Sequence, residues 1–316
     1  MREVIFMFAA ACVLSALFCA ALIPLLRKMH AGQYILGYVK EHKSKSGTPT
    51  MGGLAFVPAA VAVAAAAGLF ADRLSAVAMT FGLAFLAVGF IDDFLKFRFR
   101  RNLGLKAYQK ILFQLAISLI AGAFCYLNGL TYLNIPFTQL SVDIGFWVIP
   151  LAAAVFLAAV NSVNLTDGLD GLAASVSFWY FAAFALLLFL QRGMRTSLSD
   201  LSVILCGVLA GYLIFNTNKA SVFMGDTGSL SLGGFAAAVG VFSGNALYIV
   251  IVGIMFVLSS ISVIMQVIYY KRTKKRIFLM APLHHHFQKK GYSESKIAYV
   301  YSLVTALAGL LCVCFV

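Results

Sequence analysis

The chain has 316 residues, 62% of them hydrophobic and only 11% charged, and its mean hydropathy is +0.95. Soluble domains carry roughly 25% charged residues, so this composition excludes a soluble globular protein. The formal net charge of +13 is accounted for below by membrane topology and anionic lipid, and no nucleic-acid partner is needed to explain it.

Apolar runs of bilayer-spanning length, roughly 17–25 residues, follow one another along the chain. Ten are expected: Val4–Leu26, Leu54–Phe70, Ser75–Ile91, Ile111–Leu127, Gly145–Val160, Leu172–Leu190, Leu201–Phe215, Ser229–Phe242, Ala246–Tyr269 and Ile297–Val316. Ten spans of about 20 residues leave no room for a separate soluble domain. The expectation is an all-α polytopic integral membrane protein forming one domain, 1–316. The first run exceeds the usual 7–15-residue core of a secretory signal, and Glu3 cancels Arg2, so it reads as a retained helix. Between the fourth and fifth spans, "TYLNIPFTQLSVDIG" reads as strand–turn–strand. The ninth span has 24 residues, about 36 Å of helix against a core of about 30 Å, which calls for tilt or a kink. All six cysteines fall inside apolar spans without ligand spacing and read as small hydrophobes.

Lysine and arginine set the orientation. The odd-numbered connections hold 20 of the 24, while the termini and even connections hold only Arg2, Arg73, Arg192 and Arg195. The positive-inside rule then puts the odd connections in the cytoplasm and both termini outside. The acids obey a second pattern. Five aspartates stand at or near the cytoplasmic span ends, in "FIDDFLK" (Asp92, Asp93), "NLTDGLDGL" (Asp167, Asp170) and "FMGDTGSL" (Asp226).

An aspartate at the centre of a membrane helix costs about 2.5–3.5 kcal/mol, and less near the interface. Helix capping accounts for Asp170 or Asp226 taken singly. It does not account for Asp92 and Asp93, which are expected to end a span and meet the negative pole of its dipole. Clustered carboxylates beside many bases point to a divalent metal held together with an anionic substrate, the habit of Mg²⁺. Gly225 and Gly228 flank Asp226 at a helix start, where backbone N–H groups face phosphate oxygens. In "APLHHHFQKKG", His284, His285 and His286 are consecutive and so point apart. That argues against zinc and for hydrogen bonds to phosphate or sugar, with a polar turn after Pro282 as the plain alternative. Gln266 is a lone amide in the ninth span, either helix–helix glue or a member of the same cavity.

Five segments occur in order, one per odd connection: "KSKSGTPTMGG", "GFIDDFLK", "NSVNLTDGLDGL", "FMGDTGSL" and "PLHHHF". Together they resemble the phospho-N-acetylmuramoyl-pentapeptide-transferases of bacterial peptidoglycan synthesis, from about Arg27 to Tyr292. "TPTMGG" and the uninterrupted "HHH" favour that branch over the related N-acetylglucosamine-1-phosphate transferases, which stay as the alternative. One departure is Gln288, where the family usually carries an acid.

The resemblance implies a ten-helix plan with the active site on the cytoplasmic face of the bacterial inner membrane. It implies a reaction between UDP-N-acetylmuramoyl-pentapeptide and undecaprenyl phosphate that gives lipid I and UMP, with Mg²⁺ as cofactor, and a homodimer. It places Asp92, Asp93 and Asp226 in catalysis, with Asp226 as metal ligand. One of Asp92 and Asp93 positions or deprotonates the lipid phosphate while the other supports the metal shell, and a covalent phospho-aspartyl route stays open. Lys45, Thr50 and Lys110 are implied near the phosphates. Asn161, Asn164, Asp167, Asp170, Gly225, Ser229, Gln266 and the three histidines are implied around the nucleotide, with Phe223 stacking on uracil. A transporter would place its carboxylates near the bilayer midplane between repeated halves. An intramembrane aspartyl protease would leave most of these aspartates and the histidines without a task.

Overall fold

The computed structural model describes residues 2–29, 47–99 and 104–316. Helices occupy all ten expected spans: α1 (Arg2–Lys28), α2 (Gly53–Ala66), α3 (Arg73–Phe99), α4 (Ala107–Leu127), α5 (Val148–Thr166), α6 (Leu172–Arg192), α7 (Ser197–Asn216), α8 (Gly225–Phe242), the pair α9 (Ala246–Val252) and α10 (Ile254–Thr273), and, after the short α11 (Leu283–Lys289), α12 (Glu294–Cys314). Eight of them are long and apolar enough to cross a membrane, and α2 is a shorter apolar helix. The chain is an all-α polytopic membrane protein.

Three boundaries depart from expectation, each for a local reason. The second span closes early because Gly68, at φ +73, turns the chain into a 3₁₀ segment, Leu69–Ala71. The third runs on to Phe99, two turns past the apolar stretch, so Asp92 and Asp93 lie inside α3 and not at its negative pole. The capping problem posed for them is therefore answered by tertiary partners. The ninth breaks at Gly253, between α9 and α10, where the backbone turns to ψ 23; the long span kinks. The strand–turn–strand expectation holds: Tyr132–Asn134 pairs antiparallel with Ser141–Asp143, Leu133 opposite Val142.

The core is α8. Every residue from Thr227 to Phe242 is buried, the pattern of a helix apolar all round and enclosed by others. Helices α2, α3 and α5 pack against it. Small residues let the backbones close: a Cβ on Gly89 of α3 would strike the carbonyl of Asp226, and one on Gly53 would lie 2.5 Å from the Gly228 amide. Gly228 is thus a packing residue between α2 and α8. Polar groups in these seams bond to neighbouring carbonyls, as Ser231 does to Gly82 at 2.9 Å.

Connections sort to two ends. At one, Arg195 pairs with Glu3 and Asp200, Ser197 bonds to Asp72, and Asn245 joins Asn134 to Gln191. At the other, the ends of α3 and α5 meet the starts of α4 and α8. The aspartates and the histidine helix α11 collect there.

Candidate active site

Asp226 is the second residue of α8, in its first turn, where the positive end of the helix dipole favours a carboxylate. Gly225 before it sits at φ +69, a left-handed backbone that a Cβ would strain. That Cβ would also stand 2.5 Å from Asp93 Oδ2 and 2.8 Å from Thr50 Oγ1. The loop start of α8, the inner end of α3 and the segment before α2 therefore converge on one glycine. Phe223 fixes the third partner. Its amide donates to the Pro49 carbonyl at 2.8 Å, and its carbonyl accepts from Gly52 at 2.9 Å.

Asp92, Asp93 and Asp226 each bring a carboxylate oxygen to within 4.8 Å of the other two. Asp92 and Asp93 are 3% exposed, and each is held from behind. Asp92 Oδ1 accepts from the Leu105 amide at 2.8 Å; Asp93 Oδ2 accepts from the Thr227 amide at 2.9 Å and its hydroxyl at 2.7 Å. Asn164 of α5 donates to Asp226 Oδ1 at 2.7 Å and to Ser229 Oγ at 2.9 Å. Two cations face the cluster. Lys110 Nζ lies 2.8 Å from Asp226 Oδ2, and Lys96 Nζ lies 2.6 Å from Asp92 Oδ2, 3.0 Å from Asp226 Oδ2 and 3.5 Å from Asp93 Oδ1. Three carboxylates against two ammoniums leave one negative charge uncompensated, a set of hard oxygen donors that suits Mg²⁺.

Beside the cluster, the α5–α6 turn carries Asp167 and Asp170. Burial, then repulsion from Asp226, Asp93 and Asp170, pushes the Asp167 carboxyl up to about 8. Asp170 points away from the cluster: its Oδ2 accepts from the Ala220 amide and its own amide donates to Glu294 Oε2. Gly168 leaves room for the histidine helix, since a Cβ there would collide with His284 and stand 3.0 Å from His285 Nε2. His284 is fully buried against Tyr301. Burial, reinforced by His285, holds its imidazole down at about 3, hence neutral. His285 Nδ1 meets Gln288 Oε1 at 2.9 Å, and Gln288 Nε2 donates to Glu294 Oε1 at 3.4 Å. His286 accepts from the Leu279 amide at 3.1 Å. The histidines lie on the helix α11 rather than in the polar turn that was the plain alternative, and the His284 and His285 rings stand 4.4 Å apart, centroid to centroid.

The sequence-derived residues separate accordingly. Asp92, Asp93, Lys110, Asn164, Gly225, Asp226 and Ser229 share one centre with Thr50 at its edge; Asp167, His284 and His285 form the adjoining wall. Half-buried Phe223 stands two residues before Gly225 on the same strand of loop. Asn161 turns aside, donating to Gln114 Oε1 at 2.7 Å and to the Leu157 carbonyl at 2.8 Å. Gln266 accepts from the Ile277 and Phe278 amides and so shapes the α10–α11 connection within its own segment. It lines a cavity of about 700 Å³ with Tyr270, Arg276 and Lys289. Lys45 lies outside the described residues. Lys96, on the third carboxylate face, and Thr227, behind Asp93, were not singled out from sequence. "DDFLK" puts Lys96 one helical turn beyond the aspartate pair, a signal hidden by the basic loop that topology already explained.

Comparison with known proteins gives one answer across the chain. The glycosyl transferase family 4 profile matches residues 75–244, and signature 1 of phospho-N-acetylmuramoyl-pentapeptide-transferase matches residues 45–57. A phospho-N-acetylmuramoyl-pentapeptide-transferase of Listeria monocytogenes is 39% identical, covering 98% of this chain and 97% of its own. Enzymes of the same name from Desulfitobacterium hafniense, at 41% over 98% and 97%, and Clostridium botulinum, at 40% over 95% and 91%, are similar to the same extent.

Proposed function

The chain belongs to the phospho-N-acetylmuramoyl-pentapeptide-transferase family, and from that membership we propose the following reaction and site. The chain is a membrane phosphotransferase that moves phospho-N-acetylmuramoyl-pentapeptide from UDP-N-acetylmuramoyl-pentapeptide to undecaprenyl phosphate. Lipid I and UMP are the products, made at the cytoplasmic face of the bacterial inner membrane, with the chain as a homodimer. The observation that carries the site assignment is the convergence of Asp92, Asp93 and Asp226 to within 4.8 Å, faced by two lysines.

Asp92, Asp93 and Asp226 hold Mg²⁺. When bound, the metal neutralises charge on the donor diphosphate and on the leaving phosphate. This chain's residues do the rest. A phosphate monoester loses its second proton near pH 6, so the acceptor arrives as a dianion and asks little of a general base. An oxygen of that phosphate attacks the β-phosphorus, a new P–O bond forms, and the bond from the bridging oxygen breaks to release UMP. Lys110 screens the anionic reactants, the largest contribution expected where two anions must meet. Asp167 and the Gly225 turn adjoin the metal centre and face the donor's phosphates. His285, held by Gln288 and through it Glu294, and the buried His284 beside it bound the nucleotide end, where Phe223 offers a ring face for uracil. The Gln288 departure keeps a neutral amide on His285 where an acid would make an ion pair.

The test is UMP release from UDP-N-acetylmuramoyl-pentapeptide by the purified full chain in nanodiscs, with undecaprenyl phosphate and Mg²⁺. Release that needs both additions supports the reading. Metal-independent peptide cleavage, or proton-coupled uptake without UMP release, sinks it. Transfer from UDP-N-acetylglucosamine in preference to the muramoyl donor would move the chain to the sister branch.

A further inference from the structure

Lys96 occupies the space that a divalent cation held by this site would need. Its ammonium is within 3.5 Å of an oxygen of each of Asp92, Asp93 and Asp226, and among the described residues it is the cation that touches all three. Mg²⁺ binds oxygen at about 2.0–2.1 Å and tolerates little distortion. A dication drawn in to the same three oxygens cannot share that space with an ammonium. Lys110 is placed differently: it comes from α4 and touches Asp226 Oδ2 alone.

The local structure makes an exchange feasible. Lys96 follows Asp92 by four residues and Asp93 by three, so its stem folds back over one turn of α3. Side-chain rotation frees the head while the helix stays put. The lysine side chain is 33% exposed, against 4% and 3% for the two aspartates, so the ammonium has water to enter. Charge favours the swap. With both lysines in place the cluster carries one net negative charge; with a dication in place of Lys96, the three carboxylates, Lys110 and the metal balance to zero.

We propose that Lys96 is the built-in counter-ion of the metal site: its ammonium and the divalent cation compete for the same three carboxylate oxygens, and metal loading releases Lys96 toward the anionic reactants. This rests on the metal reading given above. Before loading, Lys96 spares the membrane-embedded edge three mutually repelling carboxylates, an arrangement that is costly when buried and unpaired. After loading, a cation is freed beside a diphosphate. Because the released ammonium can pair with that diphosphate, donor and metal each strengthen the binding of the other, as linkage requires.

Two measurements on the full chain in nanodiscs, without substrates, test the exchange. Mn²⁺ binding is followed by electron paramagnetic resonance. Lys96→Met is expected to bind Mn²⁺ on the order of tenfold more tightly than the parent, since a competing cation is gone; Lys110→Met gains less, because Lys110 covers one carboxylate. Acylation of Lys96 by a water-soluble amine reagent, read by mass spectrometry on the unmutated chain, is expected to rise with Mg²⁺ and saturate with the metal-binding curve. Equal gains in the two variants, or Lys96 labelling that stays flat while Mn²⁺ binds, overturn the exchange and leave the metal site standing. An unmutated chain that binds no Mn²⁺ overturns the metal reading and the exchange with it.

Discussion

The hydroxyl of Thr227 gives the most direct handle on the site, because it acts on Asp93 from a position no reactant needs to touch. Thr227 is fully buried, and both its amide and its hydroxyl donate to Asp93 Oδ2, at 2.9 and 2.7 Å. Thr227→Val keeps the shape and the amide bond while deleting the shorter, charge-assisted bond. A hydrogen bond to a charged group contributes about 1.5–3 kcal/mol, which corresponds to roughly 10- to 100-fold in an equilibrium constant. If Asp93 must be aimed to hold the cation, Mn²⁺ affinity should fall by about that factor. UMP release at fixed Mg²⁺ should fall with it and recover as Mg²⁺ is raised. Thr227→Ser, which restores the hydroxyl, should recover most of both. The assay pairs Mn²⁺ titration with UMP release on the same nanodisc preparation. Unchanged metal affinity in Thr227→Val, with the protein folded, would refute the idea that this buttress sets the geometry of Asp93.

Asp226→Asn should abolish measurable Mn²⁺ binding and cut UMP release by about three orders of magnitude, on the scale of losing one preorganised charge-stabilising group; activity within tenfold of the parent would remove Asp226 from the metal set. The Asp167 carboxyl, pushed up to about 8, keeps its proton in the folded chain at pH values where the unfolded chain, near 3.9, has lost it. Folding stability should therefore fall as pH rises from about 4 to about 8 and level off above, and donor binding should weaken through the same upper limit as a new negative charge forms. Asp167→Asn should flatten both profiles, as thermal melts and donor titration across pH would show. Gly168→Ala places a methyl against His284 and should raise the donor KM more than it lowers Mn²⁺ affinity; an equal effect on both would mean the histidine wall and the metal centre are one rigid unit. At the opposite end, Asn245→Leu removes a buried amide that bonds to Asn134, Gln191 and Ser243. It should lower the melting midpoint by a few degrees while turnover per folded molecule stays at the parental value, and a changed KM would contradict the separation of the two ends.

Much of this protein was legible before folding was considered, because membrane insertion is decided by local quantities. Run length located a helix in each of the ten expected segments, and the strand–turn–strand reading is met by the pairing of Tyr132–Asn134 with Ser141–Asp143. The cysteines, read as small hydrophobes, all lie within helices, and four of the six are buried. The aspartate motifs also announced themselves, since carboxylates are expensive at the edge of an apolar helix and so rarely idle. Periodicity could not say that α3 continues through its aspartates to Phe99, because a helix that leaves the lipid keeps its hydrogen bonds while losing its apolar signal. Nor could it say that Asn161 bonds to Gln114 while Asn164, three residues on, bonds to Asp226: which face of α5 meets α4 and which meets α8 is a matter of packing.

The site itself belongs to the tertiary structure. Asp93 and Thr227 are 134 positions apart in the chain, and what joins them is the close approach of α3 to α8 that Gly89 permits. Lys96 shows the same limit from the other side: as a letter in a basic loop it was fully explained by topology, and only the fold puts its ammonium among three carboxylates. Hydropathy and charge sign act on each segment alone, so a sequence can state them outright. Coordination needs several side chains at one point in space, and that point exists only once the helices have packed.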